Sequence, residues 1–360
     1  MSLIIFSFRV MDIAHCYLEG NTDAVEFCPH ADYSHTLAVS TYNLQEGDNP
    51  NRSGSISLFE VDADADCLKL LHRVEASGIF DIKWNPVGSN TGFGPLLAQA
   101  DSSGYIRVHC VETSSDDLEN KGVVLREIDS EKISSSMCLC VDWNPSATSV
   151  CAGLSDGSVS VLSFSESKLE LLQEWKAHGF ETWAASFNPY QPHLIYSGSD
   201  DCKFICWDLR VQPSSPVFQN SKAHMMGVCC ITMSKDTPNT LFTGSYDEFF
   251  RVWDVRSISK PMNEASLGLG GGVWRIKNHP SVPGVVLTAC MHNGFAILKA
   301  KEGGEIEVMQ TYKKHESLAY GADWQRGEIG EGGRKKNVIA TCSFYDRLVR
   351  IWAPECDVFA

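Results

Sequence analysis

Polar and apolar residues alternate in short runs along most of the chain. Ser55-Ile56-Ser57-Leu58-Phe59, Tyr105-Ile106-Arg107-Val108-His109, Val159-Ser160-Val161-Leu162 and Leu348-Val349-Arg350-Ile351-Trp352 are examples. A two-residue period predicts strands with one buried face. Two stretches are near copies. Ser197 to Arg210 and Thr243 to Arg256 each carry a turn acid (Asp201, Asp247) six residues before a Trp-Asp pair, and their tryptophans, Trp207 and Trp253, lie 46 residues apart. A repeat of this length is that of a propeller blade.

Aligning the chain on those tryptophans gives a ladder whose rungs are Phe59, His109, Leu162, Trp207, Trp253, Leu298 and Trp352, with steps of 50, 53, 45, 46, 45 and 54 residues. A second ladder ends each unit's first strand on a large residue followed by a turn: Phe27, Trp84, Trp143, Phe187, Met233, Asn278 and Trp324. Asn-Pro follows Trp84, Trp143 and Phe187, as a turn start requires. Both ladders count seven. The expected fold is all-β: a seven-bladed WD40 β-propeller filling residues 1–360 as a single unit. Blade seven ends eight residues from the last residue, too near for a fourth strand of its own. Residues 1–20 are therefore expected to close the ring, with Ile4 to Val10 as the outer strand, because closure removes an unpaired edge. Asn43 to Gly54, Thr113 to Gly122 and Gly327 to Lys336 read as loops.

Composition narrows the function. At 43% hydrophobic, 21% charged and a net charge of -15, the chain is ordinary soluble material, ill suited to nucleic acid or an anionic membrane. Fourteen cysteines are spread through apolar runs with no Cys-x-x-Cys pair, which suggests buried thiols in a cytoplasmic protein rather than disulfides or a zinc site. Leu3 to Phe8 is too short for a membrane span.

Several residues look catalytic but have a scaffold reading. His178, His224 and His315 each precede a first strand. Each can be matched with a turn Asp (Asp201, Asp247, Asp346), a Ser or Thr, and a Trp in a buried hydrogen-bonded network. Gly153-Leu154-Ser155-Asp156-Gly157 fits the G-x-S-x-G nucleophile elbow in letters, but a strand follows it where the elbow needs a helix. Gly268 to Gly272 lacks the Gly-Lys-Ser/Thr of a phosphate loop.

The register also places a candidate site. Four residues before each first-strand rung lie Asp23, Phe80, Leu139, Trp183, Cys229, Trp274 and Tyr320, expected to ring the channel mouth. Glu181 lies two positions earlier in its blade. Asp200, Tyr246 and Tyr345, each just before a turn acid, should join the same face. Aromatics with a few carboxylates suit a cationic or peptide ligand, unless they simply plug the mouth. Blade six departs from the repeat: His292 stands where other blades place Asp, and Leu298 replaces Trp. His292 is thus free to act as a general base, close to Gly270-Gly271-Gly272-Val273-Trp274-Arg275, or to sit as a solvated turn residue.

Gly270 to Arg275, Ala289-Cys290-Met291-His292-Asn293-Gly294-Phe295, His315 to Trp324 and Cys342-Ser343-Phe344-Tyr345-Asp346 together resemble the WD-repeat family of diphthamide biosynthesis, the diphthine methyl ester hydrolases, also called diphthine methyltransferases. One departure is Asn278, where a second Trp is expected before His-Pro. The resemblance implies hydrolysis of the methyl ester on the over-methylated, modified histidine of translation elongation factor 2, the protein substrate and partner, giving diphthine and methanol, with no cofactor and no metal. Its quaternary ammonium would suit a cage of Trp183, Trp274, Tyr320 or Tyr345. For the chemistry, His292 is the proposed base, with Arg275 and the glycine N–H groups facing the oxyanion; His315 with Ser317 is the alternative pair. A non-catalytic adaptor is the competing reading, because Trp207-Asp208-Leu209-Arg210 and Trp253-Asp254-Val255-Arg256 match the WDxR pattern of cullin-4 ligase receptors. A methyl-lysine reader is a third.

Overall fold

Every backbone N–H and C=O in a strand needs a partner, and a sheet leaves two edges short of them. The protein meets this by arranging strands radially. The structure, a computed structural model, describes residues 10–47, 50–86, 94–114, 122–211, 215–301, 303–326 and 337–355. Among them, twenty-eight strands form seven four-stranded antiparallel sheets, the blades of a propeller around a central channel. Blade one consists of Asn21–Phe27, Thr36–Gln45, Asn51–Asp62 and Cys67–Ser77, counted outward from the channel. Six further blades follow in sequence order.

The rungs read from sequence occupy one structural position. Phe59, His109, Leu162, Trp207, Trp253, Leu298 and Trp352 pair across to Leu37, Leu97, Val150, Ile195, Leu241, Val286 and Ile339 on the second strands. In six blades the outer pairing carries a β-bulge immediately before the rung. Such a bulge increases local twist, which a blade needs to pack against its neighbours.

Blade seven takes its outer strand from the start of the chain. Met11–Tyr17 pairs antiparallel with Leu348–Ala353, and its register shifts between Asp12 and Ala14 opposite Trp352 and Ile351, where the other blades bulge. The expected closure is present, but the strand is residues 11–17 rather than Ile4 to Val10; residues 4–9 lie outside the described residues. An outer strand needs only one modest apolar face. Met11–Tyr17 supplies it through Ile13, which packs in one cluster with Val349 and Ile351. Asp12 fixes the register by accepting the Tyr312 hydroxyl at 2.7 Å.

Two expected loops are partly strand. Asn43 and Gln45 pair with Ser53 and Asn51, extending a hairpin through most of 43–54. Thr113 pairs with Val123. Residues 115–121 and 327–336 lie outside the described residues. Gly153 to Gly157 is a plain strand–turn–strand: Ser149–Leu154 leads into Ser158–Ser165, with the Asp156 carboxylate capping the Ser158 N–H at 2.9 Å. No nucleophile elbow exists there.

Replacing Ile13 by Asp buries a charge in the closing seam. A loss of roughly 3–5 kcal/mol is expected, measured by urea denaturation against wild type.

Candidate functional site

The inner strand of each blade carries a second bulge, and it builds the channel mouth. In six blades the pairing of first and second strands slips one residue near the mouth. The extra residue falls at or beside Asp23, Phe80, Leu139, Trp183, Cys229 and Tyr320, the positions expected to ring the opening. A bulge re-aims a side chain out of the pleat, so these residues turn to the mouth. In blade six the strand begins at Arg275, with Trp274 just ahead of it.

A second ring comes from the turns between second and third strands. The N–H groups of Ser102, Ser155, Asp200, Tyr246 and Phe344 donate to the carbonyls of Gly78, Met137, Glu181, Gly227 and Leu318, one equivalent bond per blade. The blade-seven member is therefore Phe344, not Tyr345. Its turn holds one residue more, since Ile339 faces Trp352 where Ile195 faces Trp207. Counting back from the tryptophan thus misplaced the position by one. Tyr345 stands outside the ring, 68% exposed. Blade one supplies Tyr42, hidden from the count because the insertion before Phe59 is long.

The two rings merge into an aromatic wall. Trp183 meets Trp274 at 5.4 Å, Trp274 stacks on Tyr320 at 4.8 Å, and Tyr320 meets Phe344 at 5.1 Å. Phe344 leads to Tyr42 at 6.3 Å, and Tyr42 to Phe80 at 4.8 Å. Tyr246 adds a ring 5.8 Å from Trp274. All seven are half-buried. Asp200 sits beside Trp183; burial raises its pKa, the Trp183 indole opposes this, and the nearby Glu181 adds to the rise.

His292 is exposed in a cavity of 430 Å³ on the rim, with Lys313, His315, Ser317 and Tyr345. Phe344 and Tyr345, 5.0 Å apart, join this cavity to the aromatic wall. Blade six frees His292 because its network is gone: Leu269 stands at the usual histidine position and packs with Leu298. Thr288 turns its hydroxyl to the Ala296 carbonyl at 3.1 Å.

Three expectations need correction. Arg275 does not face His292. It points into the channel, 3.1 Å from Asp81. The glycines of 270–272 answer to packing: a Cβ on Gly271 would fall 2.1 Å from the Cys290 carbonyl, and one on Gly272 2.6 Å from the Met291 sulfur. His315 and Ser317 share the cavity but not a hydrogen bond. Both His315 nitrogens are occupied, by Ser343 and Thr341, and the Ser317 oxygen accepts the Tyr345 N–H at 3.0 Å.

The remaining histidines serve the blades. In blade four the Trp207 indole donates to Ser197 at 2.8 Å, Ser197 meets His178 at 2.7 Å, and His178 reaches Asp201 at 3.1 Å. Burial would raise Asp201, but the His178 hydrogen bond and the charge beside it hold the carboxylate well below its usual range. In blade five Asp247 turns instead to Arg251, at 2.8 Å. Burial depresses the imidazoles of His224 and His315 to about 3.

Below the mouth the channel holds a charged girdle. Lys277 bridges Glu26 and Asp323, and Lys83 lies 3.5 Å from Glu26. Asp323 accepts the Phe27 N–H at 2.8 Å, Asp81 that of Val141 at 3.1 Å, and Asp142 that of Phe187 at 3.0 Å. Each carboxylate thereby ties its blade to the next. A larger cavity, 720 Å³, opens at the far mouth over this girdle. Lys83, Lys235, Lys277 and Arg326 outnumber Glu26 and Asp323 in its lining, so it suits a cation less well than the aromatic mouth does. Arg210 and Arg256, of the WDxR motifs, fold back on Asp208 and Asp254 at that far end.

The repeats carry a match to the family described as WD domain, G-beta repeat, over residues 169–208 and 216–254. A chain in the crystal structure of the mitotic checkpoint complex has the same fold, with a TM-score of 0.69 at 14% identity over 98% of this chain and 94% of that one. The molecule is a WD-repeat propeller. Mouse diphthine methyltransferase is 36% identical over 85% of this chain and 68% of that protein. The diphthine methyltransferase homolog of Dictyostelium discoideum is 31% identical over 94% of this chain and 98% of that protein. The chain belongs to the diphthine methyltransferase family.

Two predictions follow from the division between scaffold and site. His178→Ala should cost roughly 2 kcal/mol by removing the buried link between Asp201 and Ser197, whereas His292→Ala should stay within about 0.5 kcal/mol of wild type; chemical denaturation measures both. His224 and His315 bind protons more weakly folded, at about 3, than at their ordinary 6.5. The unfolded chain therefore takes up more protons between these values. Their contribution is complete above pH 6.5 and declines toward pH 3, seen as a falling thermal midpoint that His224→Gln flattens.

Proposed function

We propose that the protein hydrolyses the methyl ester of methylated diphthine on translation elongation factor 2, releasing methanol, as a step of diphthamide biosynthesis. The observation that carries this reading is the aromatic wall at the channel mouth, joined by Phe344 and Tyr345 to a cavity that holds the exposed imidazole of His292. Family membership supplies the substrate class. Trp183, Trp274, Tyr320 and Tyr246 receive the trimethylammonium group against their faces, with Asp200 and Glu181 at the edge. The ester reaches outward to the rim.

There His292 takes a proton from water as the water oxygen attacks the ester carbonyl. The tetrahedral oxyanion develops near the Lys313 ammonium and the Ser317 hydroxyl, which line the same cavity. Collapse expels methoxide, which leaves as methanol with the proton from His292. Arg275 takes no part; it holds the channel floor. Tyr345 shapes the rim between wall and cavity.

Incubating the full chain with methylated elongation factor 2 should release methanol, and its absence would sink the reading in favour of an adaptor or a methyl-group reader. His292→Ala should lower kcat by roughly a hundredfold or more. Trp274→Ala should raise KM roughly tenfold while changing kcat little. Full rate in the His292 variant would refute the base but not the reaction.

A further inference from the structure

Seven positions ring the channel mouth on the inner strands, and six hold Phe80, Leu139, Trp183, Cys229, Trp274 and Tyr320. The seventh is an acid, Asp23, in blade one. Its side chain is all but closed off, at 3% exposure, and its Oδ1 has no hydrogen-bond partner among the described residues. The other channel acids are all engaged: Asp81 with Arg275, Glu26 with Lys277, Asp142 with Ser186, and Asp323 with the Phe27 N–H. A buried carboxylate without a partner is costly unless a proton or a cation joins it. Arg275 is the closest cation whose field reaches Asp23, and Asp81 already holds it at 3.1 Å.

The place of Asp23 says what could join it. Asp23 and Tyr320 hold the same ring position on inner strands that pack side by side, Asn21–Phe27 and Ala319–Trp324, and Tyr320 stacks on Trp274 at 4.8 Å. The Trp274 indole N–H is also buried without a partner among the described residues. Burial raises the Asp23 pKa well above its ordinary value, the Arg275 charge opposes this and Asp81 adds to the rise, so a cation at the mouth favours the ionised carboxylate, whose Oδ1 is closed off from a donor there. A primary ammonium would lose its hydrogen bonds to water there and gain none. A quaternary ammonium has no N–H to satisfy and is held by ring faces and charge alone.

We propose that Asp23 is the counter-charge of a quaternary-ammonium subsite at the channel mouth, and that it sets the preference of the aromatic wall for a cation over a neutral group of the same shape. This rests on the function proposed above and names the residue that selects the charged end of its substrate.

The test uses the full chain and two probes of one shape: choline, and its uncharged carbon isostere 3,3-dimethyl-1-butanol. Calorimetric titration should show choline binding at least tenfold more tightly to wild type. Asp23→Asn should abolish that preference while leaving affinity for the alcohol unchanged. Asp23→Leu, which places in blade one the residue blade three carries at Leu139, should do the same and guards against a folding artefact of either variant. Equal affinities for the two probes in wild type, or an intact preference in both variants, would overturn the assignment. Methanol release by wild type is measured in parallel. Release without a choline preference overturns the role of Asp23 and leaves hydrolysis standing; a preference lost in the variants but no release supports the subsite and refutes the hydrolysis.

Discussion

The innermost strand of each blade has a bare edge that no other strand can cover, because it faces the channel. The protein satisfies it with side chains from the adjacent blade. Asp323, Asp81 and Asp142 each accept a backbone N–H of the next inner strand, while the Trp84, Trp143 and Trp324 indoles donate to carbonyls of the one before. These bonds fix the radial spacing of the blades. They also bring acids into a narrow space, which in turn requires Lys83, Arg275 and Lys277. The chemistry of the channel is thus mostly a consequence of closing the ring. Asp23 is the charge this scheme leaves over.

The same economy separates scaffold from site around the mouth. Blades four, five and seven use a histidine, a hydroxyl and a tryptophan to tie strands together, and in blades five and seven desolvation makes the imidazole hard to protonate. Blade six holds itself together with Leu269 and Leu298, so its turn residue is left to solvent. Loss of the structural network here is what leaves an imidazole exposed. The aromatic wall depends in turn on the inner-strand bulges, since without them the same residues would point into the blade interfaces.

Much of this was legible in the sequence. Period-two runs and the spacing of Trp207 and Trp253 gave seven blades with the correct rungs, because each rung holds the same register against its second strand. His292, Ser317 and Tyr345, singled out in the sequence for separate reasons, line one cavity. Errors came where spacing is not conserved between blades. One extra residue in the last turn exchanged Tyr345 for Phe344, and the insertion before Phe59 hid Tyr42; counting forward from the second strand would have found both. Arg275 was misplaced because its neighbour in sequence, Trp274, faces the mouth, whereas alternation sends Arg275 into the channel. The closing strand was set too early because an apolar run is easier to see than the sparse pattern of Met11–Tyr17.

That closing strand gives the molecule a timetable. Met11–Tyr17 is synthesised before the other described strands, yet its partner, Leu348–Ala353, is made after all of them. Blades one to six can collapse in order as they emerge, since their pairings are local. Blade seven cannot, and it contributes Tyr320, Phe344, Tyr345 and Ser317 to the mouth and rim. The aromatic mouth is therefore completed only when Met11–Tyr17 meets Leu348–Ala353, so a polypeptide that stops before the latter would carry most of the blades but an open ring.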